Sequence, residues 1–345
     1  MLHIFGKSSS IVKELYRHLM CFTFDTCYLH KKFLSRIGND AIALLERFNM
    51  RDRICACYYY FYAGVAWHAV EPLQSCADKL TQAFSTGLSA GNTTIGLFAL
   101  QQAIYFYTFS GKNLNSLLVE IDYYLHLLKT YKNEVAKRYV LNSRELVCTL
   151  IDKKGKFASI DDQTKGKIRE NFLFLQAIAA YWSGHTERFK HFTEKCFSLI
   201  EHVPAQFNTM MLKFYHGLYS IETFRKKSSK EKIRLAIAAM RDAASNSTCN
   251  FQNKYELLEA ERCSLEEKHD QALAFYNASI ASAKKSRFIH EQGLACEKAG
   301  FHCKKQEDAS GALKYFTWAQ QCYTEWGSTM KVEFIQREVD RLNSG

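Results

Sequence analysis

The 345-residue chain carries 46 lysines and arginines against 35 acidic residues, 47% hydrophobic and 14% aromatic residues, and only two prolines. That much apolar side chain excludes a disordered tail, and so few chain breakers make a mostly helical fold the default. The formal net charge of +11 is spread along many segments, with clusters at 225–232 (RKKSSKEK) and at Lys284 and Lys285, so it predicts a basic edge and no nucleic-acid-binding stripe.

Residues 1–30 give no clean period, although 11–24 is compatible with a helix. Gly6, Lys7 and Ser8 resemble the end of a phosphate-binding loop, but the place of the upstream glycine is taken by Met1 and no strand precedes it, which excludes that loop. The same stretch lacks the sustained apolar core and processing site of a secretion signal. A helix is expected over 32–49 through Ile37, Ala41, Leu44 and Leu45. The run ICACYYYFYAGVAWHAV (54–70) approaches the length of a membrane span, but its four tyrosines, its histidine and the flanking Arg51 and Arg53 predict a buried helix. Pro72 ends that helix or starts the next.

Further helices are expected over 73–88, 93–108, 114–133 and 134–150, with turns at Ser89–Asn92 and Ser110–Asn113. The polar segment DKKGKFASIDDQ (152–163) reads as a seam that divides a first half of the array, 31–151, from a second, 164–345. In the second half KIRENFLFLQAIAAYW leads to the turn Ser183–Gly184, TERFKHFTEKCFSLIEH follows, Pro204 opens a helix closed by RKKSSKEK, and IRLAIAAMRDAAS comes next. From Asn253 the chain alternates helix and turn to its end. Ala272, Leu273 and Tyr276 superpose on Ala312, Leu313 and Phe316 at an offset of 40 residues. Small residues at Ala299, Gly300, Ala312 and Ala319 with Phe316 as a plug are what two close antiparallel helices need. The expected fold is therefore all-α: a superhelical array of antiparallel helix hairpins, a tetratricopeptide-like solenoid whose elongated stack lets each hairpin shield its neighbour's apolar stripe.

Chemistry-bearing patterns are absent from the sequence. Twelve cysteines are scattered from Cys21 to Cys322, many on apolar helical faces as buried thiols are in a reducing compartment. Cys55 and Cys57 form a pair with no second pair at zinc spacing. The adjacent acids Asp161–Asp162 and Glu266–Glu267 point about 100° apart on a helix and are not arranged to share a metal or proton. No nucleophile elbow, kinase motif set or dinucleotide fingerprint occurs. The expectation is no enzyme, no metal and no cofactor.

Two phrases carry a family resemblance. The closing residues Ala312, Phe316, Ala319, Cys322, Tyr323, Trp326, Gly327, Lys331 and Val332, and nearer the front Trp67, Pro72, Leu80 and Gly91 leading to the turn Ser110–Leu114, resemble the helical-repeat region of large signalling proteins. Those proteins join a serine/threonine-kinase-like domain, an AAA-type predicted ATPase, the repeat array, a GAF domain and a hybrid sensor histidine kinase. Asn92 departs from the family's aspartate, and the other domains are missing from this chain. The resemblance implies a role in signalling and no chemistry of its own.

The expected function is a non-catalytic cytoplasmic scaffold that binds a protein or relays state between neighbouring domains of a signalling kinase, with no membrane span. The alternative is a module that senses a ligand or peptide inside the superhelix. Because the first helix of each hairpin lines the inner surface, Tyr255, Glu259, Arg262, His290, Glu291 and Lys298 are the expected partner contacts.

Overall fold

A computed structural model of the chain describes residues 28–47, 50–67, 71–157, 166–200, 207–224 and 227–344. Among them every regular element is helical. The helix expected over 11–24, Pro204 and the later part of the seam lie outside the described residues. The architecture is all-α and rich in hairpins, and it divides into two units: residues 1–106 with 202–205, and residues 107–201 with 206–345. The division falls inside a helix, and residues 152–157 of the seam lie within the second unit.

The first unit holds α1 (Tyr28–Arg47), α2 (Arg51–Phe61) running into a π-helical turn (Tyr62–Ala66), α3 (Leu73–Ser89) and most of α4 (Thr93–Thr108). The tyrosine-rich run is a buried helix as its composition predicts: Cys55, Tyr58, Phe61, Tyr62, Ala66 and Trp67 all lie in the core. Its polar tips find partners, the Tyr58 hydroxyl donating to Glu46 at 2.7 Å. Pro72 sits immediately before α3, where its missing N–H is no loss. No helix among the described residues is long and apolar enough to cross a membrane.

The second unit holds α5 (Leu114–Thr130), α6 (Glu134–Asp152), α7 (Lys167–Trp182), α8 (Thr186–Ile200), α9 (Phe207–Glu222), α10 (Lys227–Asn246), α11 (Thr248–Leu265), α12 (His269–Lys285), α13 (Ile289–Lys305), α14 (Ala309–Trp326) and α15 (Thr329–Asn343). Lys227 to Lys232 of the basic cluster are the opening turns of α10; the sequence reading had made them the close of the preceding helix. Lys230, Glu231 and Lys232 are exposed, and Ile233 and Ile237 behind them are buried.

One turn recurs along this unit. A backbone N–H bonds the carbonyl five residues back at Asn133, His185, Lys268, Phe288, Asp308 and Ser328, and the residue before each is left-handed: Lys132, Gly184, Glu267, Arg287, Glu307 and Gly327. This is the Schellman closure of a helix. The last four turns are 20 residues apart, which is the physical basis of the 40-residue repeat. Ala272 and Tyr276 of α12 and Ala312 and Phe316 of α14 are correspondingly all buried. A Cβ at Gly300 would come within 2.6 Å of the Phe316 ring, so the plug needs that glycine.

Sequential helices pack as hairpins, and α7 also touches α9, α9 touches α11 and α11 touches α13, as first helices do in stacked hairpins. α7 is buried nearly all round, from Glu170 through Ala180 and at Trp182, as its evenly apolar sequence demands. The stack does not keep its ends apart, because α6 packs against α15. Two helix caps make the join. Asn113 caps α5 by accepting from the N–H groups of Asn115 and Ser116 while its amide donates to the Glu325 carbonyl at 2.8 Å. Ser328 accepts from the Lys331 N–H and donates to the Leu150 carbonyl at 2.5 Å. The expectation of an elongated row with contacts only between neighbouring hairpins is thereby corrected for this unit: the cap residues have a second hydrogen bond to give, and carbonyls of the opposite end receive it.

Candidate functional site

α13 brings polar residues to the inner side of the second unit because its small residues are used elsewhere. Gly293 and Gly300 face α14 so closely that a Cβ at either would overlap Tyr323 or Phe316. His290, Glu291, Glu297 and Lys298 on the same helix meet α14 and other helices in two clusters.

The deeper cluster is an ion pair walled by aromatic rings. The Lys254 ammonium on α11 donates to Glu291 at 2.7 Å and to the Asn250 carbonyl at 2.8 Å, and the Asn253 amide donates to the same Glu291 oxygen at 2.6 Å. The two charged side chains are 3% and 1% exposed, so the pair is taken wholly from water. Lys254 also lies 4.3 Å from the centre of the Phe288 ring. Burial lowers the Lys254 pKa, and Glu291 restores only part of it. Beside the pair His290 stacks on Trp326 at 5.2 Å and lies 6.1 Å from Trp182, whose indole N–H donates to the Tyr215 hydroxyl at 3.1 Å. Burial lowers His290 to about 4; Glu291 opposes the shift and Lys254 adds to it. The imidazole is therefore neutral at pH 7.

This cluster also holds unmet hydrogen-bonding capacity. Both ring nitrogens of His290, one oxygen of Glu291, the Asn253 side-chain Oδ1 and the Trp326 indole N–H have no protein partner, and His290 Nε2 stands 3.8 Å from the free Glu291 oxygen, too far for a hydrogen bond. An unmet buried polar group costs roughly 1–3 kcal/mol. Five such atoms lie together around the buried pair.

The shallower cluster is a charged strip at the ends of successive first helices. Tyr181 of α7 donates to Glu222 of α9 at 3.1 Å, and Lys298 of α13 ion-pairs the same carboxylate. Glu261 of α11 accepts from the Tyr276 hydroxyl. Glu297 accepts from Tyr323 at 2.6 Å and pairs with Lys331 of α15 at 2.6 Å. Burial alone would lower Lys298, but Glu222, Glu261 and Glu297 outweigh it and its pKa is raised. Glu261 is raised too, by burial, with Lys298 and Tyr276 opposing and Glu222 and Glu297 adding. Among the described residues no lysine or arginine lies within ion-pair distance of it, whereas the side chains of Glu222 and Lys298 are held together at 31% and 15% exposure.

The six expected contact residues fall into three places. Tyr255, Glu259 and Arg262 gather on α11 and reach α10: Glu259 accepts from Tyr255 at 3.3 Å, from Arg262 at 2.7 Å and from Arg241 of α10 at 3.1 Å. His290 and Glu291 are in the deep cluster, 2% and 1% exposed, and Lys298 is in the strip. Sequence reasoning did not reach Lys254, Glu222, Glu261, Glu297 or Lys331, because nothing along the chain says which helix faces which. One serine–histidine contact occurs, Ser264 Oγ to His302 Nδ1 at 2.7 Å. The other ring nitrogen has no partner and the residue is 3% exposed, so neither an orienting acid nor access for a substrate is provided. Among the described residues no group of three or more His, Cys, Asp or Glu is placed to hold a metal ion. No protein-family model matches the chain, and no curated protein matches it.

Proposed function

We propose that the second unit is a non-catalytic, tetratricopeptide-like binding module whose charged strip receives a segment of a protein partner through a basic side chain. The observation that carries this is Glu261. It is a carboxylate with no lysine or arginine in ion-pair contact among the described residues, held only by the longer-range pull of Lys298, and it shares the strip with Glu222 and Glu297, whose own lysines are already engaged. Three carboxylates face two ammonium groups there, and a lysine or arginine from a partner balances the set. The kinase-linked signalling role rests on the sequence resemblance alone and makes a neighbouring regulatory domain the first partner to try. A cytoplasmic setting is favoured by the buried free thiols.

The test is a positional-scanning peptide library titrated against the full chain. Selection of lysine or arginine at one position, lost in Glu261→Gln while helical content is unchanged, is the expected result. Peptide binding that ignores basic residues, or that survives Glu261→Gln, contradicts the proposal.

A second reading, a sensor of a small polar molecule, is favoured by the unmet atoms around His290. A ligand of that kind raises the melting temperature without competing with a basic peptide, and His290→Phe removes the effect.

A further inference from the structure

Of the ten large apolar side chains that stand exposed among the described residues, five are on the α5–α6 hairpin: Val119, Tyr123, Tyr131, Val135 and Leu141. Val119 and Tyr123 are 72% and 64% exposed, one turn apart on α5, and the exposed His126 continues their stripe. On α6 Val135, Arg138 and Leu141 follow one another at three-residue spacing and are exposed as well. The ion pair between Asp122 of α5 and Arg144 of α6, 2.6 Å long, joins the two helices, and Tyr131 and Lys132 form the turn between them. From Val119 to Tyr131 the hairpin extends about 18 Å. Single apolar side chains on a surface need no cause, whereas a group of them marks a contact.

The charges of the hairpin say what kind of molecule would cover it. Its acids Glu120, Asp122, Glu134, Glu145 and Asp152 are all ion-paired. Lys129, Lys132 and Arg138 are exposed around the turn, and among the described residues none of the three has an acid within ion-pair distance. The unbalanced charge of this face is therefore positive, and it lies beside the apolar side chains.

We propose that the exposed face of the α5–α6 hairpin docks an amphipathic helix of a partner protein, one whose apolar stripe is flanked by aspartates or glutamates. The stripe lies along Val119, Tyr123 and Leu141, and the acids reach Lys129, Lys132 and Arg138. A lipid surface suits the face less. Asp122 and Arg144, whose side chains are 49% and 33% exposed within it, would enter the hydrocarbon too, and taking charges out of water is costly. A nucleic acid also suits it less, because Val119, Val135 and Leu141 give a base no ring to stack on. The face shares no residue with the charged strip, so it stands whether or not the strip binds a basic side chain.

A random peptide library long enough for four helical turns is selected against the full chain, and the enriched peptides are titrated by fluorescence anisotropy. The expected peptides are acidic and amphipathic and bind more weakly as salt is raised. They lose about tenfold or more of their affinity both in the double variant Val119→Ser, Tyr123→Ser and in the double variant Lys129→Glu, Arg138→Glu. All four positions are exposed, and unchanged helical circular dichroism shows that each variant is folded. A selection without acidic amphipathic peptides, or binding that either double variant retains, overturns the proposal. So does binding of phosphatidylcholine–phosphatidylserine vesicles or of a single-stranded oligonucleotide that the same variants abolish, since the face then serves a membrane or a nucleic acid.

Discussion

Acid should weaken the second unit through His290, and the size of the effect can be worked from its surroundings. The ring is enclosed by Trp182 of α7, Lys254 of α11, Glu291 on its own helix, Trp326 of α14 and the turn at Gly111. Its pKa falls from 6.5 to about 4 on folding. At pH values above 6.5 the folded and unfolded chains both hold it neutral and nothing is lost. Between 6.5 and 4 the unfolded chain takes up a proton that the folded chain refuses, so stability falls as pH falls. At about 1.36 kcal/mol per pH unit the full loss is about 3 kcal/mol, and roughly 2.5 kcal/mol of it is reached by pH 4.5. Urea denaturation of the wild type and His290→Phe at pH 7.5, 6.5, 5.5 and 4.5 measures it. His216 is also lowered to about 4, by burial and by Lys232, but it titrates in both proteins and cancels in the difference. The variant should gain on the wild type by about 2.5 kcal/mol across this range. A constant difference at all four pH values would refute the reasoning, for it would mean that folded His290 accepts its proton as readily as the unfolded chain does.

Replacing one member of the buried pair, Lys254→Met, strands Glu291 without its cation and should cost roughly 3–5 kcal/mol of stability, while the double variant with Glu291→Met recovers most of it; chemical denaturation of the three proteins distinguishes this from additive losses. Glu307 holds a left-handed backbone at φ 60°, so Glu307→Gly should stabilise by about 0.5–1 kcal/mol, and Gly327→Ala at φ 90° should cost about 1–2 kcal/mol. Equal melting temperatures for those two variants would contradict the recurrent turn.

The helices themselves were legible because local chemistry marks their ends. The turn at Ser183–Gly184 sits where the residues say, and of the superposed pairs Ala272 with Ala312 and Tyr276 with Phe316 are buried, whereas Leu273 is half-buried and Leu313 exposed. The apolar girth of α7 foretold its central place. What the chain does not spell out is the pairing of distant surfaces. Asn113 and Ser328 are recognisable as caps, but their second hydrogen bonds go to carbonyls 212 and 178 residues away. The rule that first helices line an inner surface selects His290, Glu291 and Lys298, but it does not say that the first two are sealed inside, since Lys254, 37 residues from Glu291, gives no sign of its partner. It also selects Tyr255, Glu259 and Arg262, which bond one another and Arg241 of α10.

The meeting of α6 with α15 is tested most directly by pulsed electron resonance between genetically encoded spin labels at the exposed positions Lys153 and Glu333. Thr329 bonds the Ile151 carbonyl at 2.8 Å, and two residues of chain beyond one end with one helical turn beyond the other keep the labels within about 25 Å. A row of hairpins open at its ends would place four hairpins between them, five steps of about 9 Å, or roughly 45 Å. A dominant distance below about 25 Å is the predicted result, and one near 45 Å would contradict the joined ends and the sealed clusters that depend on them.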